Sequence, residues 1–418
     1  MEINVPFWAR DHPAIQQQMY QTFITRATSR CTTICITKHW QISFSVDGAR
    51  RRILNLQSYN NFFKDNEYTA EKLAGYTLPG FTFEPVLRYD FDRHLSLEAG
   101  VHLLHFWGAD QYPLGVHYGI VPAASDRTTS MFRVKPVMRV RLSFGPKLNF
   151  VLGSLYNNRY HHLPMPLYNR ELSYASDPET GGQILMDFKH FSMDLWLDWQ
   201  QFSFRNSTTQ EQFMFGCSAM VKPIDVPDNC TLSIPVYFLA QHHGGEFMQV
   251  RTPIVTNFNA ATGLEFRKCF SGHFKYLQIG CLVAGYTHSR AEGMTFQQGW
   301  GIYPSLMANA FNTTLELGFW RSGCFLPLLG SPHFGNVSTN FSGLVFDPMS
   351  VVHAQLTYEY SKIKFTSIRL EAGVYVYPPY SGDRPGYDKV IRGSAAGFDF
   401  GIHILFNPEF YINLKKKP

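Results

Sequence analysis

FRVKPVMRVRLSF (Phe132–Phe144) is two patterns interleaved. The even positions are Phe132, Val134, Pro136, Met138, Val140, Leu142 and Phe144, and the odd ones include Arg133, Lys135, Arg139 and Arg141. Successive side chains of an extended strand point to opposite faces, so this stretch has one greasy face and one face with four cations. FTFEPVLRY (Phe81–Tyr89) repeats the pattern, with Phe81, Phe83, Leu87 and Tyr89 alternating with Thr82, Glu84, Val86 and Arg88.

Working outward, the same alternation marks Leu95–Leu103, Leu148–Tyr156, Ile184–Phe188, Phe191–Trp199, Phe213–Val221, Leu232–Ala240, Phe258–Phe266 and Leu277–Val283. It continues in Trp300–Ala308, Thr313–Phe319, Val352–Tyr360, Ile368–Val376 and Phe398–Phe406, with a first strand near Ile53–Phe63. The connections alternate in length. Short ones lie near Asp90–His94, Gly145–Pro146, Lys189–His190, Pro223–Asn229, Lys268–Gly272, Phe311–Asn312 and Ser361–Lys364. Long ones, rich in Gly, Pro, Asn and Ser, include Asp110–Thr129, Arg159–Gly182, His242–Pro253, Arg321–Asp347 and Pro378–Gly393. Two-faced strands with unequal connections predict an all-β fold: a transmembrane antiparallel up-and-down β-barrel of about sixteen strands (about fourteen to eighteen), with short periplasmic turns and long extracellular loops.

Composition agrees. Aromatic residues make up 16% of the chain and charged residues 17%, below the ~25% usual in soluble domains. No apolar run approaches the ~18 residues that a membrane-spanning helix needs. The mean hydropathy of -0.16 is no objection, because only alternate residues of a barrel strand meet lipid. A net charge of +5 without basic–aromatic clusters excludes a nucleic-acid surface. Seven cysteines without CxxC spacing indicate neither a disulfide framework nor zinc, and no cofactor motif is present. Met1–Arg30 lacks the apolar segment of a signal peptide, so residues 1–50 are read as a segment apart, a miscalled start or a periplasmic extension, and 51–418 as the barrel.

The strings NFFKDNEY (Asn61–Tyr68), AQHHGGE (Ala240–Glu246), FWRSG (Phe319–Gly323) and FGIHILFNPEFYIN (Phe400–Asn413) resemble porin-like outer-membrane proteins of Bacteroidetes. The resemblance spans most of Ile53–Asn413 and implies a bacterial outer-membrane location.

The polar faces then line a lumen that receives Arg88, Glu98, His102, Arg133, Lys135, Arg139, Arg141, Glu265, Arg267, Arg369 and Glu371. Sixteen strands enclose more space than side chains fill. The expected function is therefore passive diffusion of small hydrophilic solutes, anionic or sugar-like, by a chain that is not an enzyme. Outer-membrane lipids and solutes are its partners, and a homo-oligomer is one arrangement. The Arg133–Arg141 ladder either attracts anions or pairs with Glu84 and Glu98 across the wall. The loop Arg159–Gly182, with Tyr160, His161, His162 and Tyr168, is a candidate constriction. The alternatives are a plugged structural or secretion-associated barrel and a barrel-embedded hydrolase. For the hydrolase, the His242–His243 pair is the suggestive feature, although no GxSxG or HExxH accompanies it.

Overall fold

The computed structural model describes residues 44–45, 58–67, 72–73, 75–107, 130–202, 210–244, 254–289, 295–341, 343–364, 366–384 and 389–406. Among the described residues, sixteen antiparallel staves close on themselves, and the two-residue strand Phe44–Ser45 pairs in parallel with Tyr89–Asp90. They are β1 (Ser58–Glu67), β2 (Thr77–Phe83, continued by Val86–Asp90), β3 (Leu95–Trp107), β4 (Ser130–Ser143), β5 (Leu148–Ser154), β6 (Thr180–Asp187), β7 (Phe191–Gln201) and β8 (Glu211–Val226). The other half comprises β9 (Cys230–Gly244), β10 (Val255–Cys269), β11 (Phe274–Ser289), β12 (Gln298–Ala310), β13 (Thr313–Gly323), β14 (Met349–Ile363), β15 (Thr366–Tyr377) and β16 (Ala395–Phe406). Each pairs with its chain neighbours, and β1 pairs with β16 to complete the ring. Joining every strand in this way leaves no long open edge, as a bilayer requires.

The alternation works as the sequence predicts. Phe132 and Met138 are 56% and 62% exposed to the outside, whereas Glu98 and Arg139 are 3% and 5% exposed and face inward. A Lys or Arg on the lipid face would cost about 2–4 kcal/mol near mid-bilayer, so the parity is strongly fixed. Short turns use left-handed residues where tight reversal demands them: Asp228, Phe311 and Asn312 have φ of 56°, 51° and 62°. Both barrel ends of the chain lie on the short-turn side. The chain is a bacterial outer-membrane β-barrel.

Three expectations shift in detail. The stretch Phe81–Tyr89 is interrupted at Glu84–Pro85, where proline lacks the ladder N–H and its carbonyl accepts from Val101 N–H at 3.1 Å, yet the inside–outside parity survives. Pro223–Asn229 is a connection only beyond Val226, because β8 continues past a register shift between Val221 and Ile224. Leu277–Val283 is the middle of a longer strand, Phe274–Ser289. The segment 1–50, apart from 44–45, and the loop Asp110–Thr129 lie outside the described residues.

The long-loop end of the lumen is filled. The loop between β5 and β6 and the loop between β13 and β14 both fold inward and interlock: Tyr168 bridges to Leu329, Asn169 N–H donates to Leu329 O at 2.6 Å, and Ser331 N–H donates to Met165 O at 3.0 Å. Leu163, Leu167, Leu172, Phe325 and Phe334 bury against wall residues such as Phe106, Trp196 and Trp320. This apolar plug is the core of the protein, and at ~25 cal/mol per Å² its burial is the main force holding the loops inside.

Candidate functional site

The first inner loop is clamped on the β6–β7 wall. Gly216 of β8 gives Trp196 room to lie flat against the wall, since a Cβ there would stand 2.1 Å from the indole. His161 stacks on Trp196 with centroids 3.8 Å apart and planes 8° apart. Its Nδ1 lies 2.8 Å from Asp194 and its Nε2 lies 2.5 Å from Glu179, so both ring nitrogens donate to carboxylates. Burial alone would lower the His161 pKa, but Glu179 and Asp194 outweigh it and raise it to about 10. Tyr160, His161 and His162 all have left-handed backbone, with φ of 61°, 50° and 60°. Each such residue costs about 1–2 kcal/mol, which the paired imidazolium and its stack offset.

The named lumen residues face inward, and most meet one another. Arg139 donates to Glu98 and to Leu155 O, Arg88 lies 2.8 Å from Asp90, and His102 lies 3.0 Å from Glu84. Arg133 pairs with Asp177 of the inner loop, with Lys135 3.4 Å from the same carboxylate. Arg267 donates to Gln278, which donates to Glu265, and Arg369 lies 3.3 Å from Glu371. Arg141 is half-buried on the same face. Wall and loop pairing thus occupies Arg133, Lys135 and Arg139 of the basic ladder. Of the constriction candidates, His161 and Tyr168 are 0% and 1% exposed, and they bind wall and plug instead of lining a passage.

The second inner loop is held differently. Lys72, fully buried, donates to Gly335 O and Val337 O, and desolvation lowers its pKa to about 7. Asn259 of β10 donates to Leu326 O at 2.9 Å and accepts from Leu328 N–H at 2.8 Å. Between this loop and the β9–β11 wall lies a cavity of about 370 Å³, within the roughly 300–1,000 Å³ common for small-molecule sites. Leu326, Leu328 and Val337 form its apolar side, and Gln241, His243, Asn257 and Tyr286 form its polar side.

Two of the cavity's polar residues, Gln241 and Asn257, belong to a cross-strand row that His288 extends. Gln241, Asn257 and His288 are direct register partners on β9, β10 and β11, and all face inward. Tyr286 donates to Asn257 Oδ1 at 3.2 Å, which leaves the Asn257 NH2 free to point at another acceptor. The His288 ring, 6.3 Å from that of Tyr286, has both nitrogens shielded from solvent and without a partner among the described residues. Shielded ring nitrogens with no partner are costly.

Sequence reasoning noticed His243 but not His288, Asn257, Gln241 or Tyr286. The available signal was parity: extending the even-numbered inward face of Leu282 and Ala284 reaches Tyr286 and His288. His242 and His243, adjacent in sequence, separate to the outer and inner faces of β9.

No curated protein matches the chain in sequence. Among solved structures, the outer-membrane protein OpdK of Pseudomonas aeruginosa is 10% identical over 84% of this chain and 97% of its own, with a TM-score of 0.43. OmpT of Vibrio cholerae in its trimer form is 10% identical over 84% and 97%, with a TM-score of 0.42. A BenF-like porin of Pseudomonas fluorescens gives 10%, 84%, 97% and 0.42. The family model that matches residues 46–416 is described as lipid A 3'-O-deacylase-type. That description names an enzyme and corrects the expectation that the chain is not one, which rested on the absence of a GxSxG or HExxH motif. Matched over nearly its whole length, the chain belongs to the lipid A 3'-O-deacylase-type family.

Proposed function

We propose that this barrel hydrolyses an acyl ester of a lipid A-type glycolipid in the chamber between β9–β11 and the inner loop. The observation that carries the reading is the row Gln241–Asn257–His288, in which Gln241 and Asn257 line an apolar-sided cavity and the ring nitrogens of the adjoining His288 have no partner among the described residues. His288 takes a proton from water as the water oxygen bonds to the acyl carbonyl carbon. The Asn257 and Gln241 amides donate to the oxyanion that forms. The ester C–O bond then breaks, the sugar oxygen recovers the proton, and a fatty acid and a sugar hydroxyl result. Leu326, Leu328 and Val337 give the acyl chain an apolar lining. Outer-membrane lipid is, on this reading, both solvent and substrate.

The test is fatty-acid release from a micellar acylated glucosamine ester by the purified chain. Wild type should turn over, and Asn257→Ala should fall by about a hundred-fold to a thousand-fold, the usual effect of losing one oxyanion donor. Equal rates in the two proteins would remove Asn257 from the chemistry.

A passive pore is the second reading, favoured by the charged inner wall. It requires the inner loops to withdraw, and stepwise conductance in planar bilayers is its signature.

A further inference from the structure

At the long-loop end, the connection between β1 and β2 ties down the second inner loop. Beyond Asn336 that loop forms a hairpin whose limbs bridge at Val337 and Val345. Its second limb joins Tyr380–Asp383 and Val390–Arg392 in a small rim sheet separate from the barrel wall. Val337 and Thr339 of the first limb line the chamber.

Lys72 clips this first limb. Its Nζ donates to Gly335 O and Val337 O, and its own carbonyl accepts from Thr339 N–H at 3.0 Å. Asn336, between the two acceptors, is rooted independently: its Oδ1 accepts from Phe325 N–H at 3.0 Å, and its carbonyl accepts from Phe346 N–H at 2.8 Å. Releasing Lys72 therefore lets Val337–Thr339 part from the β1–β2 connection about a root that stays in place.

The partners of the buried amine are two carbonyls and the face of Phe346, 5.3 Å from the ring centroid. A neutral amine has two N–H groups, one for each carbonyl, whereas an ammonium brings a third N–H and a charge with only the ring to meet them. The clip fits the neutral form. The loop and the rim sheet carry Cys324, His333, Asp347, Tyr380, Asp383 and Arg392, and the connection itself carries Tyr76. None of these is a partner of Nζ: His333 bonds to Tyr377, Cys324 donates to Asp347, and Tyr76 donates to Glu171. Burial without a counter-charge accordingly lowers the Lys72 pKa to about 7.

We propose that Lys72 is a proton-operated latch on the chamber, taken as the site of the hydrolase reading: loss of a proton locks the Val337–Thr339 limb over it, and gain of one releases the limb. A chamber closed by an apolar loop needs such a release to admit an acyl chain. With a closed-state pKa of about 7 against the ordinary 10.5, closure is penalised fully below pH 7, and the penalty fades as pH rises from there toward 10.5. The latch opens in acid and tightens in alkali.

Amide exchange of Thr339 in the full chain in detergent micelles tests this, because that N–H donates to the Lys72 carbonyl. With the intrinsic rate divided out, protection should rise by about fifty-fold from about pH 7 to about pH 9, the change that this pKa difference gives. Lys72→Met, which lacks the amine, should exchange fast and without that pH response. Should the variant not fold, the nitrogen NMR shift of Lys72 Nζ in the wild type decides, with a midpoint near 7 expected. Protection in the wild type that does not change with pH, the same response in Lys72→Met, or an amine that titrates near 10.5 overturns the latch. A responsive latch in a barrel that cleaves no ester removes the hydrolase reading alone, and ester cleavage with an unresponsive Thr339 removes the latch alone.

Discussion

The β6–β7 wall and the β9–β11 wall each face an inner loop, with similar residue types and opposite outcomes. On β6–β7, the imidazole of His161 finds two carboxylates and a stacking indole. On β9–β11, the imidazole of His288 finds neither, and a cavity lies beside its row. Polar groups that position a loop are paired in the folded chain, whereas those left unpaired next to space are where a ligand supplies the missing partner.

The contrast can be broken most forcefully at His161. Replacing it by Ala strips Glu179 and Asp194 of their shared donor and should destabilise the folded barrel by about 3–5 kcal/mol, the range for breaking a buried ion pair. Urea unfolding in detergent reads the change. The pH dependence has a definite sign. A folded-state pKa of about 10, above the ordinary 6.5, gives stabilisation that is complete below pH 6.5 and is lost as pH rises from there through about 10. Amide exchange of Tyr160–Leu163 should accelerate across that window, and His161→Ala should flatten the response.

Next in size is the chamber. His288→Ala should lower ester hydrolysis by about a hundred-fold or more, as removal of a general base does, while leaving urea unfolding nearly unchanged. A matched loss of stability would place His288 with His161 as a structural residue. Asn259→Ala removes the two hydrogen bonds that hold the loop over the chamber, and about 1–3 kcal/mol of loop anchoring should go with them. Faster exchange at Leu326 and Leu328 with β10 itself protected is the expected readout. The smallest effect is at the plug's edge. Asp177→Asn frees Arg133 and Lys135, the latter half-exposed, and should change stability by no more than about 1 kcal/mol.

What the sequence made legible was everything governed by a period of two. FRVKPVMRVRLSF placed Arg133, Lys135, Arg139 and Arg141 inward and Phe132, Val134 and Met138 outward, and the unequal connections set sixteen staves with both ends on one side. What it hid depends on contacts between distant segments. Nothing near Arg159 announces that Tyr168 will meet Leu329, or that Asp177 will neutralise Arg133. The chamber row was hidden for a related reason: Gln241, Asn257 and His288 come from three strands, and only their register makes them neighbours. The His242–His243 pair drew attention for its adjacency in sequence, which is the one relation a strand undoes.

The most direct test of the account is mass spectrometry of lipid A recovered from vesicles carrying the wild-type barrel or its His288→Ala variant. The account predicts a product one acyl chain lighter with wild type and little or none with the variant. Lipid A of unchanged mass from both, with both barrels folded and inserted, would contradict it.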